Sequence, residues 1–183
     1  METYTGMLQP ERQRDDCANK LALSIRDFVT THYEMTLADP SWKPPANGSC
    51  WSPMPIELSG GEAVIDGTTG GTENEFGAKI TCGNSFALDG PQAYFRVKLM
   101  AGASYTITLL PSFAARMYLF GTTCDPVTIN AECSSSGLPG ELAKPNETYP
   151  KTAKPTQTGG YTIAVDSRSL PYWGTFKLTI ERL

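Results

Sequence analysis

From residue 62 onward, apolar side chains recur at every second position, and this alternation constrains the fold more than any other feature of the chain. Residues 93–99 show it most clearly, since Ala93, Phe95, Val97 and Leu99 alternate with Tyr94, Arg96 and Lys98. The same period recurs in 105–109, 116–120, 161–166 and 175–181, with shorter candidates at 62–66 and 78–82. A period of two is typical of antiparallel strands that bury one face.

Turn signals separate these segments, for example Asp89-Gly90-Pro91 and Gly159-Gly160, and no helical pattern intervenes. Many short strands without crossover helices favour two stacked sheets over an alternating strand–helix fold. We therefore predict a mainly β protein, in which residues 59–183 form an antiparallel, jelly-roll-like β-sandwich.

The first 58 residues have a different character. Residues 16–36 place their apolar side chains within one arc of a helix, so we predict an amphipathic helix that packs on the sandwich. Residues 39–58 contain several prolines, which interrupt helices and restrict the residues before them. We predict a proline-rich connector there, and a domain boundary near residue 58.

Charge and hydropathy narrow the choice of partners. The net charge of −4 argues against a nucleic-acid partner, which would need a basic face. No apolar run approaches the roughly 18 residues of a transmembrane helix. The first eight residues hold no apolar run long enough for a signal peptide, so the chain either stays inside the cell or is a mature or trimmed form.

Five cysteines, at positions 17, 50, 82, 124 and 133, allow at most two disulfides. Buried reduced thiols are one interpretation. Disulfides and export are the interpretation we favour, because so many cysteines are unusual in a reducing compartment. We expect a bridge between Cys124 and Cys133, which would close a short loop around Asp125 and Pro126.

The sequence offers few parts for catalysis. His32 is the only histidine and lies on the apolar side of the predicted helix, about 22 Å along its axis from Cys17. No nucleophile elbow, P-loop or zinc-protease motif is present. We therefore expect a protein that is not an enzyme and that needs no cofactor.

Two groups of residues are candidates for binding. Glu73, Asn74 and Glu75 follow the first predicted strand, which ends at Asp66, and oxygen-rich loops of this kind can hold calcium. Solvated acidic side chains are the alternative interpretation. Aromatic residues on the polar-facing side of strands or in a late turn could form a ligand platform, or could instead pack beneath the helix or connector: Tyr94, Tyr118, Phe120, Tyr172 and Trp173.

In order along the chain, residues 62–183 resemble the bacterial pre-peptidase C-terminal domain. The resemblance rests on Asp66-Gly67-Thr68-Thr69, on Gly90-Pro91-Gln92-Ala93-Tyr94-Phe95, and on the two late segments 160–166 and 174–180. It implies a non-catalytic, extracellular or periplasmic β-sandwich. Related domains are removed during maturation in some proteins and bind collagen or polysaccharide in others, sometimes with calcium.

These observations lead to two hypotheses. In the first, the chain is a secreted or cell-surface module that binds an extracellular protein or polysaccharide. In the second, it is a structural subunit that assembles with copies of itself in an extracellular filament or envelope-surface assembly.

Overall fold

The computed structural model describes residues 46–77, 79–82, 89–135, 142–167 and 173–183. All of them belong to one compact unit, Pro44–Leu183, and the other unit is Met1–Lys43. The predicted helix over 16–36, its packing on the sandwich, Cys17 and Tyr172 lie outside the described residues.

The described residues form eight strands and one helix. Their bounds are β1 Met54–Ile56, β2 Glu62–Thr68, β3 Gln92–Leu99, β4 Tyr105–Pro111, β5 Ala115–Phe120, α1 Pro126–Ser135, β6 Tyr149–Ala153, β7 Gly159–Ser167 and β8 Thr175–Arg182. The predicted strands at 62–66, 93–99, 105–109, 116–120, 161–166 and 175–181 are thereby confirmed. The candidate strand at 78–82 is wrong, since residues 79–82 form no strand.

The strands make two four-stranded sheets. Sheet 1 has the order β1-β3-β7-β5, and sheet 2 has the order β2-β8-β4-β6. All pairings are antiparallel except that of β1 with β3. From β2 to β8, each successive strand lies in the opposite sheet, which gives the jelly-roll-like β-sandwich that the alternation predicts.

The main core lies between the two sheets. Each strand contributes every second side chain to it, so the apolar faces of both sheets are shielded from water, which is the dominant source of stability for such a fold. Phe95 of sheet 1 meets Phe176 of sheet 2 edge-to-face, with 5.8 Å between ring centroids. The fully buried members include Val97, Leu99, Ile107, Leu109, Met117, Ile163, Val165, Leu178 and Ile180.

A second hydrophobic cluster covers the outer face of sheet 1. We call its covering elements the cap: residues 124–125, α1, and residues 47–50, 76–77 and 79–82. Beneath the cap lie Tyr94, Tyr118, Phe120 and Ala164, and the cap contributes Cys50, Phe76, Ile80, Cys82, Cys124, Ile129 and Cys133. Where the cap lies, sheet 1 is therefore buried on both faces.

Two disulfides link the cap. Cys50 is bonded to Cys124, and Cys82 is bonded to Cys133. The predicted Cys124–Cys133 bridge is wrong, because each of these cysteines reaches a partner far away in the sequence. Asn130 joins the same elements, since its Oδ1 accepts hydrogen bonds from the backbone N–H groups of Thr81 and Cys82.

Helix α1 begins where the sequence analysis predicts a short loop, around Asp125 and Pro126. Asp125 caps it, because its carboxylate accepts the Thr128 N–H at 2.9 Å, and Pro126 occupies the first helical position, where no amide donor is needed. Two edge strands were also missed. Strand β1 lies in the predicted connector, and β6 contains Pro150. Proline is tolerated at sheet edges, so it does not exclude strands there.

Candidate binding surface

Three of the five predicted platform residues are buried. Tyr94, Tyr118 and Phe120 have 0%, 0% and 1% of their surfaces exposed, because the cap covers the outer face of sheet 1. The platform prediction is therefore wrong for these three residues, and the alternative of rings packed beneath other elements describes them. Part of that cover comes from the predicted connector, in the form of Cys50.

Trp173 and Trp51 are the two exposed aromatic residues in the part of the chain that the structure describes. Trp173 has 65% of its surface exposed and Trp51 has 75%. An exposed tryptophan offers a large, rigid apolar face and an N–H donor, and tryptophan is enriched among the residues that carry binding energy at interfaces.

Hydrogen bonds to a buried residue fix the backbone next to Trp173. The N–H of Thr69 donates to the Gly174 carbonyl at 3.0 Å, and the Thr69 hydroxyl lies 3.3 Å from the Gly174 nitrogen and 2.9 Å from the Ser167 hydroxyl. Thr69 itself is fully buried. The Trp173 ring also packs on Gly70, where an added Cβ would approach it to 3.0 Å. The ring thus projects from an anchored stretch of backbone that leads into β8.

Trp51 lies next to the Cys50–Cys124 disulfide. Glu75 holds this loop, since its two carboxylate oxygens accept hydrogen bonds from the Ser49 hydroxyl at 3.0 Å and the Cys50 N–H at 2.8 Å. The backbone N–H of Trp51 donates to the Ser49 hydroxyl at 3.2 Å. Trp51 is therefore a natural comparison for Trp173, since it is similarly exposed but lies in another loop.

A cavity of about 720 Å³ opens close to Gly174, the residue after Trp173. Thr68 and Ser112 line it, and both lie next to Gly174, through a hydrogen bond from the Thr68 hydroxyl and a close packing contact with Ser112. The remaining lining combines apolar and polar groups, namely Met54, Phe95, Leu110, Pro111 and Phe176 with Asn47, Asp66, Gly67, Asn146, Thr175 and Lys177. Ligand-sized cavities with a few polar groups among apolar ones are typical of binding sites.

The structure does not bring the four predicted calcium residues together. Asp66 is exposed on β2 and faces Lys177, with 3.9 Å between Oδ1 and Nζ. Asn74 and Glu75 use their side-chain oxygens to hold neighbouring loops, and Glu73 contributes its carbonyl oxygen to the Gln92 N–H. Within the described ranges, no group of three or more histidine, cysteine, aspartate or glutamate side chains is placed to hold a metal ion.

A buried polar cluster lies at the end of sheet 1 where β3 begins and β7 ends. Asp166 is fully buried, and its Oδ1 accepts hydrogen bonds from the Gly90 N–H and the Gln92 amide, both at 3.2 Å. Among the described residues, no group donates a hydrogen bond to its Oδ2. Burial raises the pKa of Asp166 well above its usual value, and the two hydrogen bonds only partly oppose this. Arg116 lies nearby, 4.0 Å from Asp89.

The two buried tyrosines respond to the same environment. Burial raises the pKa of Tyr94 and of Tyr118 far above that of an exposed phenol, and the neighbouring acidic groups act in the same direction. Neither tyrosine nor Asp166 lines either of the two main cavities of the described residues. The cluster is therefore placed to hold sheet 1 and its loops together.

A second cavity, of about 570 Å³, lies between the end of β5, α1 and the β6–β7 connection. Glu132, Lys154 and Gln157 are among its polar residues, and Tyr161 supplies an aromatic one. Glu132 already accepts a hydrogen bond from the Gly121 N–H at 2.8 Å. Unlike the first cavity, this one has neither exposed tryptophan beside it.

These features define a class of protein: a β-sandwich domain stapled by two disulfides, of the kind found in oxidising compartments outside the cytosol. No helix in the described ranges has the length and hydropathy needed to cross a membrane. No family model and no curated protein matches the sequence.

The fold is similar to those of several solved structures. One is PliG of Aeromonas hydrophila, a periplasmic lysozyme inhibitor of g-type lysozyme, with 14% identity, a TM-score of 0.40, and 71% of this chain and 95% of that chain covered. Another is the pre-peptidase C-terminal domain of collagenase from Bacillus anthracis, with 13% identity, a TM-score of 0.39, and coverages of 70% and 93%. The latter belongs to the family that the sequence resembles.

Proposed function

We propose that this chain is a secreted or cell-surface, non-catalytic module that binds an extracellular protein or polysaccharide. The disulfides support export, because such bridges persist in oxidising compartments. The observation that carries the binding role is Trp173, an exposed ring next to a backbone segment that buried Thr69 anchors.

The anchoring matters energetically. Binding costs free energy whenever a loop or side chain must be ordered, so a turn that is already fixed loses less on association. The adjacent cavity is lined by the hydroxyl-bearing residues Thr68, Ser112 and Thr175. The Thr68 hydroxyl donates to the Gly174 carbonyl, and the Ser112 hydroxyl accepts from the Thr175 N–H, so these groups are held in place. An aromatic face beside hydroxyl groups suits a sugar ring or an extended polypeptide.

The buried polar cluster around Asp166 does not indicate a catalytic site. Asp166 has the raised pKa expected of some catalytic acids. Its carboxyl group is fully buried and accepts hydrogen bonds from the Gly90 N–H and the Gln92 side-chain amide. Asp166 lines neither of the two main cavities. A structural role explains these contacts without a reaction.

A binding screen with matched variants tests the proposal. The full chain is applied to an array of polysaccharides and extracellular-matrix proteins, collagen included, beside Trp173→Ala and the control Trp51→Ala. We expect Trp173→Ala to weaken binding at least about tenfold, as the loss of a central aromatic contact does. Trp51→Ala should have little effect. Both variants should keep the stability of the parent chain, since both rings are mostly exposed.

Two outcomes would contradict the proposal. One is an array without any saturable ligand. The other is a ligand whose affinity is unchanged in Trp173→Ala, which would place the binding surface elsewhere on the domain.

A further inference from the structure

Strand β2 is an edge strand of sheet 2 whose free side can be identified residue by residue. The Arg182 N–H donates to the Gly61 carbonyl, so residues 61, 63, 65 and 67 bond to β8. The backbone N–H and C=O groups of Glu62, Val64 and Asp66 must then point away from the sheet. Those of Glu62 are satisfied by Ser59, at 2.9 and 3.1 Å.

Val64 and Asp66 therefore present two donors and two acceptors on an open edge. Within the described ranges, no partner lies against these four groups. Val64 and Asp66 are also exposed as side chains. Unpaired strand edges of this kind are ready templates for a further strand.

The other edges are protected. Strand β6 pairs with β4 through residues 149, 151 and 153, so Pro150 lies on its free side, where it offers no N–H donor. Strand β1 is three residues long and contains Pro55. All six residues of β5 are buried, and reciprocal hydrogen bonds between Ala115 and Ala143 bridge the start of its edge. In the described part of the fold, β2 is the edge strand that contains no proline and is exposed at its centre.

The cavity of about 720 Å³ begins at this edge. Asp66, Gly67 and Thr68 of β2 line it, opposite Met54 of β1. Ala63 and Ile65, whose side chains point toward the core, are only partly buried. A strand added to β2 would direct alternate side chains toward these apolar groups, in the manner of strand-addition complexes, where pockets for alternate side chains provide specificity.

Charge selects the occupant of the edge. Glu62 and Asp66 flank Val64 on the solvent-facing side, and Lys177 lies 3.9 Å from Asp66. Symmetric pairing of two copies with Val64 opposite Val64 would place Glu62 directly opposite Asp66, and like charges so placed are destabilising. Centring the pairing on Asp66 would oppose the two aspartates themselves. A strand with basic residues opposite Glu62 and Asp66 would form favourable charge pairs there, whereas a second copy of β2 would bring like charges together.

We propose that β2 is a docking edge for an extended basic segment of a partner protein, which joins sheet 2 as a fifth strand. The proposal rests on the proposed binding function and specifies a protein partner. The segment has basic residues opposite Glu62 and Asp66, and apolar residues between them that point toward Ala63, Ile65 and the cavity.

The probe is a fluorescein-labelled synthetic peptide whose central sequence is Lys-Val-Thr-Val-Lys. Its binding to the full chain is followed by fluorescence anisotropy. Two control peptides carry glutamate in place of both lysines, or N-methyl groups on the backbone amides that would face β2. We expect saturable binding of the first peptide and at least about tenfold weaker binding of both controls.

The decisive variant is Val64→Pro. It removes an outward N–H donor while leaving the hydrogen bonds to β8, because position 64 does not bond to β8. Its matched control is Val64→Thr, which keeps the donor and the strand preference. We expect the proline variant to lose at least about tenfold in peptide affinity and the threonine variant to lose little. Thermal melting of both variants checks that the fold is retained.

The outcomes separate this proposal from the broader one. Absence of peptide binding to the full chain, or equal affinity in Val64→Pro and Val64→Thr, would overturn strand addition. Dimers that Val64→Pro abolishes would also overturn it, because the occupant would then be a second copy. An array ligand that is sensitive to Trp173→Ala but not to Val64→Pro would uphold the binding function and refute the docking edge.

Discussion

The pairing of the cysteines allows a quantitative test of the cap. Three double variants are compared in a Cys17→Ser background: Cys50→Ala with Cys124→Ala, Cys82→Ala with Cys133→Ala, and Cys124→Ala with Cys133→Ala. The first two each remove one disulfide of the structure. The third removes one partner from each, so it breaks both.

The expected losses follow from the loops that the bridges close. The sequence separations are 74 residues for Cys50–Cys124 and 51 for Cys82–Cys133. In the chain-entropy treatment of the unfolded state, such loops stabilise the folded state by about 4.4 and about 4.1 kcal/mol respectively. The third variant should lose somewhat less than their sum, because the two loops overlap. A Cys124–Cys133 bridge would have contributed only about 2.6 kcal/mol.

Equilibrium unfolding in urea, followed by circular dichroism, measures these losses. Peptide mapping of the oxidised parent chain checks the pairing independently. A Cys124–Cys133 peptide in the map, with equal losses of about 2–3 kcal/mol in all three variants, would refute the pairing and with it the stapled cap, because each variant removes at least one of these two cysteines. Losses well below about 4 kcal/mol in the first two variants of a chain whose map shows the pairing of the structure would instead indicate that the reduced chain keeps residual structure, which refutes the entropy argument.

Three further predictions concern single side chains. Because the pKa of Asp166 is higher in the folded chain than its ordinary value of 3.8, the folded state binds more protons, and stability should fall as the pH rises above about 4. Asp166→Asn should remove this pH dependence of the melting temperature. Parallel plots of melting temperature against pH for the parent chain and the variant would contradict the assignment. Gly67→Ala should cost about 1–3 kcal/mol, since its Cβ would lie 2.5 Å from the Phe176 ring, whereas Gly159→Ala, with no atom within 4 Å, should be nearly neutral in urea unfolding. Asn130→Ala should cost about 1–3 kcal/mol because two loop N–H groups lose their acceptor, and unchanged urea midpoints would show that water replaces it.

The strands were predictable because their signal is local. In β4 and β8, apolar residues alternate with threonine, lysine and glutamate, so the sequence reports which face is buried. The N-cap Asp125 followed by Pro126 was a usable signal for α1 as well. The sequence pattern favours a turn there because α1 has no clear apolar face; its buried residues, Ile129 and Cys133, pack against distant parts of the chain.

The candidate site was harder to predict. Trp173 is exposed as expected, whereas Tyr94, Tyr118 and Phe120 were assigned to the solvent face and lie beneath the cap. Alternation distinguishes the two faces of a sheet but does not tell whether a further layer covers the second one. The run Met117–Phe120 did carry a hint, since a nearly continuous apolar strand is typical of a sheet buried on both faces.

By itself, the sequence determined six of the eight strand segments, the two-sheet architecture and the side of each of those six strands that faces the main core. These depend on side-chain periodicity, which is a property of neighbouring residues. Only the tertiary structure decided the cysteine pairing, the capped face of sheet 1, the anchored backbone beside Trp173 and the open edge of β2. Each of these depends on contacts between residues far apart in the chain, such as Cys50 with Cys124, and local patterns carry no record of such contacts.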